Sequence, residues 1–274
     1  MNTAFYINID PVIFRIGSLA VGWYGLMVAL AVVTVVSWVF WENSKSRKFT
    51  NDAILTAALI GIPSGIIFSK ILHVIDQWHY YLQNPSRIIS GEGLTIWGAV
   101  LGAAIGVWLY SKISKQFQFG LLGDVIAPGI ILSQAIGRVG CTLNGCCYGL
   151  ESDAWCSVIY TNPYSYGPIG IPVLPTQVFE IFYDLLVFCI LLFLRGKLKP
   201  DGALFTVYFA LYGAWRFGIE FIRQGTPFLF GMHQAQLIGL VVMLVTIPII
   251  IAKVRWKNKE DKPAIEATPE ETNK

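Results

Sequence analysis

Tyr212, Arg216, Glu220 and Arg223 stand at i, i+4, i+8 and i+11 of the apolar stretch LYGAWRFGIEFIRQG, so a helix carries all four on one face. An arginine at mid-helix depth in a bilayer costs ~2.5–3.5 kcal/mol on insertion scales, so such a residue turns toward a cavity or a partner. Two readings follow for the Arg–Glu–Arg column: a buried ion pair that only fixes packing, or a site for an anion near the membrane surface. Arg138 favours the second. In GRVGCTLNGCCYG it follows Gly137 and is two residues before Gly140, small neighbours that leave the guanidinium accessible and let the backbone turn sharply. A guanidinium presents a fork of donors matched to phosphate oxygens. Several converging in an aromatic-rich apolar chain point to a phospholipid headgroup, although an arginine that snorkels to the interface without a ligand remains an alternative for Arg138. In LPTQVFE, Pro175 suits a first helical position, which sets Gln177 and Glu180 three apart on one face. Glu180 in an apolar run must be paired or protonated, either as an arginine's partner or as a catalytic group.

Four of the five cysteines, Cys141, Cys146, Cys147 and Cys156, fall in or beside one connection, while Cys189 lies alone in an apolar run. Tetrahedral zinc calls for Cys or His at short spacings repeated twice. This connection has four residues between Cys141 and Cys146, adds only the adjoining Cys147 and contains no histidine, so the spacing argues against zinc. A disulfide joining Cys156 to one of the other three suits an oxidising face and leaves the pairing open. The remaining reading is that small residues pack a Gly-rich turn beneath Arg138.

The elements that must position these groups are membrane helices. Charged residues make up 14% of the chain, about half the share in soluble proteins, and several apolar runs approach the ~20 residues that span a bilayer. Seven segments qualify, near 19–40, 52–73, 94–110, 121–137, 176–194, 203–222 and 233–252. The first has no basic run before it and no A-x-A-like cleavage site after it, and is expected to be retained as a span. Alternate connections are basic: Lys45, Arg47 and Lys48; Lys112 and Lys115; Arg195, Lys197 and Lys199; and a final cluster from Lys253 to Lys262. The positive-inside rule then places the N-terminus outside and the C-terminus in the cytoplasm. Gly98, Gly102 and Gly106 recur every fourth residue, a pattern that lets two membrane helices approach closely. The reading is an all-α polytopic membrane protein with one membrane domain over 1–257. An extracytoplasmic head occupies 138–175, and 258–274, polar and free of aromatics, form a disordered cytoplasmic tail.

WYG at 23–25, G-R-x-G at 137–140 followed by Asn144-Gly145, P-T-Q-x-x-E at 175–180 and R-F-x-x-E-F-x-R at 216–223 occur in this order. Together they resemble the phosphatidylglycerol–prolipoprotein diacylglyceryl transferase family over nearly the whole chain. The resemblance implies a seven-span protein of the bacterial inner membrane that moves a diacylglyceryl group from phosphatidylglycerol to the lipobox cysteine thiol of a prolipoprotein, releasing glycerol 1-phosphate. It implies that Arg216 is the principal catalytic arginine, Glu220 orients it and Tyr24 lines the site. Arg138 holds the headgroup, with Gly137, Gly140, Asn144, Gln177, Glu180 and Arg223 around it. No metal, organic cofactor or nucleic-acid partner is expected.

The chain departs from the family's pattern at several points. Trp97 stands where a histidine of a His-Gly-Gly run is usual, and it cannot take a proton. Cys141 replaces an asparagine, Cys146 a glutamate and Leu174 a histidine, while Lys70 is the only match for a second-span arginine. The Gly-Cys-Cys-Tyr-Gly form looks like a divergent branch of the same superfamily. A membrane thiol–disulfide oxidoreductase acting on a quinone through Cys146 and Cys147 would explain the thiols. It would leave the Arg216–Glu220–Arg223 face and the WYG and PTQxxE runs without a purpose. A lipid-binding or transport protein without chemistry is a third reading.

Overall fold

A backbone inside a bilayer has to satisfy its own polar groups, so the apolar runs form helices. A computed structural model describes residues 4–17, 19–89, 93 and 95–257. Two short strands, β1 (Phe5–Ile7) and β2 (Val12–Ile16), precede β3 (Leu19–Gly22), which turns directly into α1 (Trp23–Ser46). Then come α2 (Asn51–Asp76), the short α3 (Trp78–Gln83), α4 (Ile96–Ser114) and α5 (Phe119–Asn144). After β4 (Val158–Tyr160) and β5 (Pro172–Val173) follow α6 (Thr176–Leu194), β6 (Leu198–Lys199), α7 (Ala203–Ile219), α8 (Gln234–Lys253) and β7 (Arg255–Trp256). Five helices, α1, α2, α5, α6 and α8, are long and apolar enough to cross a membrane, and α4 and α7 carry shorter apolar stretches. The protein is therefore a polytopic, helical membrane protein. Residues 258–274, read from sequence as a disordered tail, lie outside the described residues.

The helices pack in pairs: α1 on α5, α2 on α4, α7 on α8, with α6 and α7 both against α5. A buried apolar core lies where α5, α6 and α7 meet, around Ile131, Leu191, Val187 and Tyr208. On α4 the spaced glycines face α2 so closely that a Cβ at Gly98 would stand 2.5 Å from the Phe68 carbonyl oxygen, and one at Gly102 2.5 Å from that of Ser64. The packing reading of that pattern holds. At one end of the bundle the connection between α5 and α6 forms a head. Its small sheet is ordered β1–β4–β5, with β1 parallel to β4 and β4 antiparallel to β5. At the other end β6 pairs with β7, and Arg195 forms an ion pair with Glu42.

The helix boundaries differ from the sequence reading in three places that matter to the site. The first span starts at Trp23 rather than near 19, because residues 19–22 pair with β2 and the Trp23 N–H donates to the Pro11 carbonyl, 3.0 Å. The fourth runs on to Asn144, seven residues beyond the expected 137, until Gly145 turns the chain at φ 77°. Left-handed backbone costs glycine nothing and other residues something, which is why the helix stops there. Arg138 thus sits inside α5, nearly two turns before its end, rather than at the start of the head. The sixth span, expected to run to 222, ends at Ile219 with Glu220 as its C-cap, so Arg223 lies beyond the helix, bridged to Gly149, and not on one helical face with Tyr212, Arg216 and Glu220.

Gly102→Leu is expected to force α2 and α4 apart and cost about 1–3 kcal/mol, the usual range for overpacking. It should lower the thermal unfolding midpoint in detergent. Gly218→Ala, where a Cβ meets nothing within 4 Å, should leave the midpoint unchanged.

Candidate functional site

The chain directions bring the start of α1, the end of α5 and the end of α7 together at the head end, and a cavity of about 660 Å³ opens there. That volume falls inside the ~300–1,000 Å³ of ordinary ligand pockets. Most of its length is aliphatic, lined by Val32 and Val36 of α1, Ile54 and Ile62 of α2, Ala103 and Val107 of α4, and Ile126 and Ile130 of α5. Only the head end is polar. Tyr24, Arg138, Asn144, Tyr212, Arg216 and Arg223 line it, together with Cys141, Cys146 and Cys147.

Each guanidinium there is held by a carboxylate set back from the cavity. Arg138 Nη2 is 2.7 Å from Glu180 Oε1, a link from α5 to α6. Glu220 is a hub: its Oε1 forms an ion pair with Arg216 Nη2 at 2.7 Å and accepts from Arg223 Nη1 at 3.2 Å, and its Oε2 lies 2.9 Å from His233 Nδ1. A carboxylate facing Nδ1 fixes the ring proton on that nitrogen. His233 also opens α8, where its backbone N–H donates to Gln236 Oε1, 3.1 Å. Arg216 and Glu220 are almost fully buried, so this cluster is a closed ion network rather than a surface pairing. Nε and Nη1 of Arg216 are buried without a hydrogen-bond partner. Buried donors of a charged group are rarely left unmet, and those that are call for an explanation such as an absent ligand.

The first turn of α6 fastens the head to the site. Gln177 Nε2 donates to the Cys146 carbonyl at 2.7 Å and Thr176 Oγ1 to the Cys147 carbonyl at 2.7 Å. Tyr160 donates to the Thr142 carbonyl, 3.3 Å, and burial pushes its phenol up to about 12 despite the hydrogen bond from Gln177. The chain around Arg223 is stitched to the same loop: Leu150 N–H donates to the Ile222 carbonyl and Gln224 N–H to that of Tyr148. The two Gly-Cys-Cys thiols fold back on the end of α5, so that the sulfurs of Cys141, Cys146 and Cys147 all lie within 4.8 Å of one another. The Cys147 thiol is held well below its ordinary range, chiefly by hydrogen bonds from Cys141 and Cys146, and then by the nearby Arg223 and Arg138.

Of the residues singled out in the sequence, Tyr24, Gly137, Arg138, Asn144, Arg216 and Arg223 line the cavity. Glu180 and Glu220 stand behind the arginines, and Gln177 holds the head loop. Gly140 does not line the cavity but packs against α1, where a Cβ would come within 2.9 Å of Met27 Cβ and 3.3 Å of Tyr24 Cα. Lys70 is elsewhere, donating to Tyr81 Oη and the Arg87 carbonyl. All five cysteines are free, and Cys156 is not part of the three-sulfur cluster, so the disulfide reading finds no pair here. Sequence reasoning missed His233, whose only signal is its place just before an apolar run with Gln236 three residues on. It also missed Asp184, buried one turn after Glu180 with neither oxygen bonded.

The model of the prolipoprotein diacylglyceryl transferase family matches residues 11–252. A protein of Dehalococcoides mccartyi strain 195, named phosphatidylglycerol–prolipoprotein diacylglyceryl transferase, is 54% identical over 258 residues, covering 94% of this chain and 99% of its own. Proteins of the same name from Clostridium tetani and, with the suffix 2, from Clostridium perfringens are 35% and 32% identical, over 79% and 81% of this chain and 86% of theirs in both cases.

Glu220→Ala should leave two guanidiniums buried without a counter-ion. Breaking a buried pair from one side costs about 3–5 kcal/mol, so the thermal unfolding midpoint should fall well below that of the parent chain. A midpoint within a degree of the parent would show that the hub contributes nothing.

Proposed function

The chain belongs to the prolipoprotein diacylglyceryl transferase family, and on that premise we propose that it transfers diacylglyceryl from phosphatidylglycerol to the lipobox cysteine thiol of a prolipoprotein. Glycerol 1-phosphate is the other product. The observation that carries this reading is the cavity: aliphatic along most of its length, it ends at three guanidiniums, one of which has two donors unmet. Acyl chains suit the aliphatic part and a phosphodiester suits the cationic end.

In the reaction the substrate's sulfur attacks the glycerol carbon bonded to the phosphate oxygen. The C–S bond forms, the C–O bond breaks, and the electron pair leaves on oxygen, turning a phosphodiester monoanion into a phosphomonoester with a second charge. Donors aimed at that oxygen favour the transition state over the ground state, and a site already built of fixed charges needs no reorganisation. Arg216, with Nε and Nη1 free, is the principal stabiliser, and Glu220 orients it. Arg138, held by Glu180, fixes the headgroup, and Arg223 adds charge from the third side. Gly137 leaves room beside the guanidinium, Asn144 and Tyr24 shape the rim, Gly140 seats α1 close enough to bring Tyr24 in, and Gln177 positions the head loop. By the distribution of Lys and Arg, the head and this end of the cavity face outward from a bacterial inner membrane, with the N-terminus outside and the C-terminus cytoplasmic.

Arg216→Ala and Arg138→Ala are each expected to slow transfer by roughly 10²–10³-fold, the usual effect of removing one preorganised donor to a developing charge. The assay follows labelled phosphatidylglycerol onto a lipobox peptide by gel shift. Transfer at the parent rate by either variant would remove that residue from the site.

A further inference from the structure

Among the described residues lining the cavity there is no histidine, aspartate or glutamate, so the thiol that must attack meets no imidazole or carboxylate to take its proton. It meets three cysteines instead. Their sulfurs lie mutually within 4.8 Å, and all three residues line the same cavity as the three arginines. A disulfide would consume two sulfurs and leave the third over. The adjoining pair is poorly placed for one, since neighbouring Cα atoms stand about 3.8 Å apart and disulfides prefer about 4.4–6.8 Å. A metal ion uses all three. With Zn–S bonds of about 2.3 Å, tetrahedral thiolates stand about 3.8 Å apart, so the cluster needs only to tighten by up to about an ångström. Thiolates select soft and borderline ions over calcium or magnesium.

The surroundings suit such a centre. Three thiolates on a divalent ion carry a net single negative charge, and Arg138 Nη1 lies 3.9 Å from Cys141 Sγ. Both peptides that bear the paired cysteines are pinned through their carbonyls, Cys146 by Gln177 and Cys147 by Thr176. Bonds of this kind orient ligands from the outer shell. Cys147 itself is held at φ 69°, a backbone conformation that a non-glycine side chain seldom adopts.

We propose that Cys141, Cys146 and Cys147 hold a zinc-class divalent cation as three thiolates, and that its open fourth position takes the substrate's thiol; this second half rests on the transferase reading above. A three-ligand site with one open position is the form zinc takes where it does chemistry, and a thiol that coordinates it is deprotonated outright. The proton passes to solvent, and the bound sulfur attacks the glycerol carbon. The C–S bond forms, the C–O bond breaks and the electron pair leaves with the phosphate oxygen. The metal keeps its oxidation state throughout. The thioether product is neutral and a weak ligand, so it departs.

The test uses the full chain purified in detergent without chelator, with metal measured by mass spectrometry. About one zinc per chain is expected in the parent and in Cys156→Ser, with at least a tenfold loss in Cys141→Ser, Cys146→Ser and Cys147→Ser. Parent protein with its thiols reduced but no metal would overturn the proposal, as would metal retained by all three variants. Cobalt(II) put in place of zinc in the parent gives a reading that does not depend on the variants folding. Sulfur-to-cobalt charge-transfer bands are expected, with the visible bands shifting when a lipobox peptide is added but not when its cysteine is serine. A spectrum without charge-transfer bands, or one indifferent to the peptide, would sink it. Transfer by the parent distinguishes the two readings. An unchanged rate after zinc removal defeats the metal's part in transfer while the transferase stands. A loaded, peptide-responsive centre that converts no peptide supports the site and defeats the transferase.

Discussion

A guanidinium among membrane helices has to be surrounded by acceptors, and most of the head end follows from that requirement. Arg138 binds α5 to α6 through Glu180, while Arg216 and Arg223 converge on Glu220, which also takes His233 from α8. One carboxylate therefore ties α5 to α6, and the other ties the end of α7 to the start of α8. A buried ion network of this sort is weak evidence for stability, since apolar replacements are often as stable. Its value here is geometric. The carboxylates occupy only part of each fork, and the unmet donors of Arg216 are buried at the cavity's end.

The second constraint is the turn that ends α5. Gly145 in left-handed backbone reverses the chain directly after Asn144, and its φ of 77° leaves no comfortable place for a side chain. The reversal carries Cys146 and Cys147 back over Cys141, and the first turn of α6 holds it by accepting no freedom at either carbonyl. The strand β1, near the N-terminus, then pairs with β4 and closes the head over the same loop. Arginines, thiols and head loop are thus one connected assembly, built from the ends of helices that elsewhere only pack.

Local periodicity made part of this legible in the sequence. The Arg216–Glu220 ion pair forms at the i, i+4 spacing of a helix, whereas Arg223 reaches the same carboxylate from beyond the end of α7. The spans followed from hydropathy, and the glycines of α4 from their four-residue repeat. What escaped was set by contacts distant in sequence. The Arg138–Glu180 pair crosses between helices, and β1 pairs with a strand some 150 residues away. The sulfur cluster escaped because ligand-spacing rules describe knuckles, whereas here a helix end and a glycine turn bring positions five and six residues apart together. Gln177 was placed on the right face of α6, but its amide is spent on the Cys146 carbonyl and not on the cavity. Gly140 was chosen for access and proves to be one of the points where α1 touches α5.

The central claim is that the guanidiniums are gathered for a lipid phosphate. The most direct measurement is a density map of the protein in a bilayer disc of phosphatidylglycerol. The account requires the phosphate within hydrogen-bond distance of Arg216 Nε and Nη1, with Arg138 beside it and the acyl chains running down between α1, α2 and α4. A map with the lipid phosphate bound elsewhere, and Arg216 turned to another protein group, would contradict it.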